Sequence, residues 1–155
     1  MSDIETIMTF MTALQSGDIE LAANTMADSF TMSGFAAKTV NKGEFLVMYS
    51  KILASLPDLS FNIDELHEVN GEVRVPVQIT GTNTNDLDLS MLGIQPIAAT
   101  GLAVTLPQVN VTYAVKDNQV MSMQFESVPG GGIEGLLQQV GAELPLLPRG
   151  VNIGD

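Results

Sequence analysis

The chain has 155 residues, 18 Asp and Glu against 6 Lys and Arg, a formal net charge of −12, and no Cys or Trp. That length fits one domain, and 45% hydrophobic with 15% charged residues excludes the composition of a disordered chain. So few basic residues exclude the phosphate-neutralising surface that nucleic acid or an anionic membrane requires, and the lack of Cys excludes thiolate nucleophiles, disulfides and Cys-ligated metals.

The opening Met1-Ser2-Asp3-Ile4-Glu5 is acidic and lacks the basic region and apolar core of a signal peptide. The longest uncharged run, residues 89–115, is interrupted by Gln95, Pro96, Pro107, Gln108 and Asn110. No membrane span is expected from it, and the expected location is cytoplasmic.

Ile4, Ile7, Met8, Met11 and Leu14 recur at helical spacing, with Ser2 or Asp3 as N-cap. Ser16-Gly17-Asp18 stops this helix and starts a second, whose apolar stripe is Ile19, Leu21, Ala22, Met26 and Ala27. A short strand is expected over 30–32. A third helix is expected from about Lys42 to Leu56, with Phe45, Leu46, Tyr49, Ile52 and Leu53 on one face and Pro57 beyond its end. Residues 59–69 alternate weakly and lead to Asn70-Gly71, a hairpin signal. Val73, Val75, Val77 and Ile79 then alternate with polar residues, and Pro76 among them calls for a bulge or an unpaired N–H. After a loop over 83–100, Val109, Val111, Tyr113 and Val115 alternate again, and Asp117-Asn118 turns the chain into a strand over 120–128. The break at Pro129-Gly130-Gly131-Gly132 precedes an amphipathic segment with Ile133, Leu136, Leu137, Val140 and Leu144. Helices followed by antiparallel strands predict a single α+β domain, with its core over residues 4–144 and an irregular tail over 145–155.

Between Arg74 and Lys116 no basic residue occurs, and the only acids are Asp86 and Asp88. Strands uncharged on both faces predict a sheet covered on both: by helices and a cavity on one side, and by a second copy of the chain on the other. A homodimer through the sheet is therefore expected.

Several short stretches, in this order and spacing, carry a family resemblance. They are Phe10-Met-Thr-Ala-Leu-Gln-Ser-Gly-Asp18, Met26-Ala-Asp-Ser-Phe30, Leu56-Pro-Asp-Leu-Ser-Phe61, Ile79-Thr-Gly-Thr82, Ala99-Thr-Gly101 and Leu137-Gln-Gln-Val-Gly141. Together they resemble the NTF2-like superfamily and, within it, the SnoaL-like polyketide cyclases. The resemblance implies a cone: a curved antiparallel sheet packed against three N-terminal helices around an apolar cavity, usually in a dimer. Members of the superfamily include cyclases, isomerases and dehydratases. The family's usual Gly-Thr-His reads Gly81-Thr82-Asn83 here, and its acid–base Asp falls on Val128 or Gly132. The Tyr and Asp of the ketosteroid isomerases fall on Thr9 and Gly34. The known chemistries of the fold therefore do not carry over intact.

Glu126 is the one carboxylate in the otherwise uncharged Met121–Ser127 segment, where it shares a face with Ser122 and Gln124. If that face lines an apolar cavity, Glu126 is a candidate acid–base residue; if not, it faces solvent or the dimer seam. His67, the only histidine, could act as a base or sit exposed at a hairpin tip. Arg74 could bind an anionic oxygen, or pair across strands with Asp64, Glu65 or Glu68. Asn83, Gln78, Gln108, Asn110, Tyr113 and Gln124 could orient a ligand or fill a polar seam. The nine Met could give a soft cavity wall or ordinary core. Gly130–Gly132 lacks the Lys and Ser/Thr of a phosphate loop and reads as a hinge. No metal or cofactor site is expected, and no nucleophilic triad is spaced along the chain.

Two functional readings follow. One is a cavity for a small apolar, polyketide-like or cyclic molecule, with Glu126 as acid–base group and Asn83 as an oxygen-orienting donor in a cyclase- or isomerase-like proton transfer. The other is a non-catalytic ligand carrier or dimeric interaction module.

Overall fold

The computed structural model describes residues 2–141. Helix α1 (Asp3–Ser16) starts in a capping box: Ser2 Oγ accepts the Glu5 N–H, and the Glu5 carboxylate accepts the Ser2 N–H. It ends at Gly17, whose φ of 80° suits a residue without a Cβ. Helix α2 (Ile19–Thr25) is capped by Asp18 and ends before Met26 and Ala27, which the apolar stripe assigned to it. Those two residues are buried and open strand β1 (Met26–Ser33), where Met26 pairs with Val120, so sheet pairing overrides the helical spacing. Strand β2 (Val40–Asn41) runs into helix α3 (Lys42–Ser55), capped by a second box between Asn41 and Glu44.

Residues 59–66 do not form the expected strand. Asn62 takes a left-handed φ of 46°, leaving one bridge at Ser60 and a short β3 (His67–Val69). Asn70 and Gly71, both at positive φ, turn β3 into β4 (Glu72–Val77). Pro76 sits where β3 has ended, and its carbonyl accepts the Asp64 N–H, so the missing proline N–H breaks no ladder rung. Strands β5 (Thr80–Thr82) and β6 (Ala103–Thr105) form a separate pair flanking the loop. Three-residue strands are too short to show an alternation. Strand β7 (Val109–Lys116) and the left-handed Asp117-Asn118 turn follow as expected, and β8 (Gln119–Phe125) ends three residues short of the expected 128. Helix α4 (Gly132–Gln139) closes the described chain. Leu144 and the tail over 145–155 lie outside the described residues.

The main sheet has the order β2-β1-β8-β7-β4-β3. It is mixed: every pair is antiparallel except β1 and β8, which run parallel. The sheet is thus mostly antiparallel, as expected, with one parallel pair: no hairpin joins β1 and β8, so no tight turn dictates their relative direction. Helix α1 packs on β4, β7 and β8, and α3 on β1. Their buried faces (Ile7, Phe10, Met11 and Leu14; Phe45, Met48, Tyr49 and Ile52) meet Val73, Val75, Val111, Tyr113 and Met123 from the sheet. Among the described residues no helix is long and apolar enough to cross a membrane.

The β1–β2 connection lies tightly on the end of β8. Gly34 has φ 87°, and a Cβ there would stand 2.2 Å from the Phe125 carbonyl oxygen. Gly34→Ala is expected to cost about 3 kcal/mol or more, from backbone strain plus the clash, read as a lower urea midpoint.

Candidate functional site

Inside the cone, side chains from α3, β1, β8, α4 and the segments between strands enclose a cavity of about 40 Å³. That exceeds one water's share of liquid volume, about 30 Å³, only slightly. Met32, Met48 and Met123 contribute to its wall with Phe35, Phe45, Phe61, Phe125, Leu106 and Leu136. Tyr49 is the one lining residue with a polar side-chain atom. Its hydroxyl is occupied, donating to the Leu14 carbonyl at 2.6 Å. Burial pushes its phenol well above the usual range, so it stays neutral.

The sequence-predicted site residues do not converge on this cavity. Alternation on β8 turns Met123 and Phe125 inward and Gln124 and Glu126 outward. Glu126 is exposed and closes the β7–β8 ladder: its N–H donates to the Asn110 carbonyl and its carboxylate accepts the Asn110 N–H, both at 3.0 Å. Glu126 is therefore not part of the cavity wall and, being exposed, is not enclosed there as an acid–base role in the cone requires. Asn110, Thr112 and Gln124 share this outer face with Arg74, which stands opposite His67 across the β3–β4 pair. Arg74, His67 and Gln108 are exposed. Among the described residues Arg74 makes no ion pair with Asp64, Glu65 or Glu68; the ion pairs are Lys38–Glu44 and Lys42–Asp28. No three His, Asp or Glu among the described residues stand close enough to hold a metal ion.

Asn83 is fully buried, and all of its hydrogen-bonding capacity is used. Its Nδ2 donates to Ser55 Oγ at 2.7 Å and the Asn85 carbonyl at 2.9 Å. Its Oδ1 accepts the Thr100 N–H at 2.8 Å and the Thr100 hydroxyl at 2.9 Å. Rather than offering a donor to a ligand, Asn83 ties the end of α3 to both ends of the long loop. Tyr113 is also fully buried, edge-on to Phe10 with ring centroids 6.1 Å apart, and lies away from the cavity wall. Its hydroxyl has no hydrogen-bond partner among the described residues, and burial raises its pKa far above the usual range.

A second, open space of about 420 Å³ lies outside the cone, between residues 34–39, 126–128 and 131–134. It is a polar groove, with Lys38, Thr39, Glu126, Ser127 and Glu134 on its rim. Phe35 borders both spaces. Phe35 was not singled out from the sequence, because a lone aromatic in Gly34-Phe35-Ala36 carries no periodic signal.

The family model of the SnoaL-like domain matches residues 7–123. The chain belongs to the SnoaL-like family. No curated protein matches it. Among solved structures, this SnoaL-like domain is similar to a candidate SnoaL-like polyketide cyclase from Jannaschia sp. CCS1, at 15% identity over 91% of this chain and 92% of that one, with a TM-score of 0.69. It is also similar to a candidate polyketide cyclase from Xanthomonas campestris pv. campestris, at 14% identity over 89% and 96% of the two chains and a TM-score of 0.68. An LEH-like epoxide hydrolase from M. tuberculosis aligns at 13% identity over 88% and 90%, with a TM-score of 0.62. At such identities the likeness establishes the NTF2-like α+β fold.

Two substitutions test the polar assignments. Asn83→Ala strands Ser55 and Thr100 and is expected to cost about 3 kcal/mol, seen as a lower urea midpoint at unchanged slope. Tyr113→Phe removes an unpaired buried hydroxyl and is expected to raise stability by about 1 kcal/mol, measured in the same way.

Proposed function

We propose that this SnoaL-like domain binds a small apolar molecule in its cone and performs no acid–base step there. The observation that carries this reading is the cavity wall: among the described residues it has apolar side chains, one tyrosine whose hydroxyl is already bonded, and no carboxylate or imidazole. Such a wall can hold a ligand by burial and shape, but has no group to move its protons. A cyclase- or isomerase-like reaction would need an acid–base residue in the cone, and the outward alternation of Glu126 argues against it. At about 40 Å³ the cavity is smaller than a benzene-sized ligand requires. Binding therefore proceeds with rotation of Met32, Met48 and Met123, whose unbranched side chains repack easily, and with movement of Leu136 on α4.

Naphthalene is the test ligand. Leu136→Ala enlarges the cavity from α4 and is expected to cost about 3 kcal/mol. Naphthalene is then expected to restore part of the lost melting temperature and to bind this variant more tightly than the unmodified chain by calorimetry. Absence of saturable binding to both proteins would refute the reading.

We also propose that the outer sheet face seats a second copy of the chain. Thr31, Ser33, Ser122, Gln124, Thr112, Ala114, Asn110 and Pro76 lie side by side across four strands, with Arg74 among them and Glu126 at their edge beside Asn110. In a chain of net charge −12, a nearly uncharged face is where two copies approach with least repulsion. Light scattering is expected to show a dimer at micromolar concentration and a folded monomer for Thr112→Glu; a monomeric unmodified chain refutes the pairing.

A further inference from the structure

The closed cone and the polar groove are separated by very little. A space of about 10 Å³ lies between them, sharing Phe35, Ile79, Leu106 and Phe125 with the cone, and Phe35, Glu126, Gly131 and Gly132 with the groove. The partition is the ring pair Phe35–Phe125, with centroids 5.1 Å apart. Phe125 is fixed in β8, whereas Phe35 sits in the β1–β2 connection; both are 8% exposed. The backbone around the partition is held on both sides: Gly34 against the Phe125 carbonyl, and the Phe35 carbonyl accepting the Ile133 N–H of α4. Among the described residues Phe35 is thus the one lining residue common to all three spaces, and its side chain can turn without breaking a hydrogen bond.

Charge in the groove is also one-sided. Glu126 and Glu134 face it, while its single cation among the described residues, Lys38, is bonded to Glu44 at 3.1 Å. One Glu126 oxygen takes the Asn110 N–H, and the other has no partner among the described residues. A carboxylate so placed accepts hydrogen bonds from a donor and repels an anion.

We propose that cone and groove form one two-part site gated by Phe35, for a molecule with an apolar body and a hydroxyl or ammonium head. The body lies in the cone and the head bonds to Glu126 in the groove; an apolar carboxylic acid is rejected by Glu126, Glu134 and the negative field of the whole chain. This rests on the reading of the cone as a ligand cavity and adds the class of ligand and its orientation. No covalent step is involved.

The test compares naphthalene, naphthylmethanol, naphthylmethylamine and naphthoic acid at pH 7 by calorimetry and stopped-flow fluorescence. The amine is expected to bind about tenfold or more tighter than the acid, the effect of one charge-assisted hydrogen bond, with the alcohol between them. Glu126→Gln is expected to shrink the amine–acid difference to about threefold or less, with naphthalene binding unchanged. Phe35→Ala, and Phe35→Leu as the milder variant, are expected to speed naphthalene association. Equal affinity for amine and acid, or a preference that survives Glu126→Gln, overturns the head-group assignment while naphthalene binding still supports the cone. Unchanged association in both Phe35 variants overturns the gate. Failure of naphthalene to bind the unmodified chain and Leu136→Ala alike overturns both the cone reading and this inference.

Discussion

Six aromatic rings decide how much of the cone remains empty. Phe10 on α1 touches Phe30 of β1, Phe45 of α3 and Tyr113 of β7, with ring centroids 6.1–6.4 Å apart. Phe45 continues into a stack through Tyr49 to Phe61 at 6.1 Å spacings. Each such pair is worth about 0.5–1.5 kcal/mol beyond the area it buries. The more important consequence is geometric: helices, sheet and the 59–61 segment are held at the separation these rings set. Gln15 reinforces this from α1, bonding the Leu59 carbonyl and the Phe61 N–H. The cavity is what lies beyond the rings, on the side lined by methionine and closed by Leu136 of α4.

Polar groups are sorted around that packing. Asn83, at the position where the family resemblance places a histidine, uses its whole side chain to clamp the loop over 83–100 onto α3. Gly81, two residues earlier, could not carry a Cβ without meeting Leu56 at 2.8 Å. The carboxylates of the described residues lie outside the cone, where hydrogen bonds from backbone N–H groups hold several of them charged. Glu5, Glu44 and Asp58 have lowered pKa values for this reason, with bonds from Ser2, Asn41 and Thr82 respectively, and Asp88 is lowered by the Ser90 side chain and then by its backbone N–H. Stabilisation from these groups is complete above the unfolded carboxylate value and fades as pH falls through their lowered folded values. The acidity of the chain is thus spent on caps, turns and a solvated shell, and the groove rim beside Glu126 is where part of it meets an opening.

Much of the fold was legible because its signals are local. The cap at the start of α1, the stop at Gly17 and the paired turns at Asn70-Gly71 and Asp117-Asn118 act over four residues or fewer, so chain order reveals them. Alternation likewise placed Glu126 on the same side of β8 as Ser122 and Gln124. Local signals failed where distant partners decided the outcome. Met26 and Ala27 leave a helical stripe to pair beside β8, β1 runs parallel to a strand about ninety residues away (Met32 beside Met123), and β5 and β6 are too short to alternate visibly.

The sequence by itself determined the order of the helices and of the two hairpins β3–β4 and β7–β8, the α+β class, the nearly uncharged central strands and the family, since each depends on residue type and short-range spacing. Tertiary structure alone decided which face of the sheet is inside. Alternation divides a strand into two sides without saying which side the helices cover, and α1 covers the side carrying Tyr113 and Met123. That choice turned Glu126 outward and consumed Asn83 in a clamp. It also brought Phe35, without a signal of its own in the chain, between an apolar cavity and a polar groove.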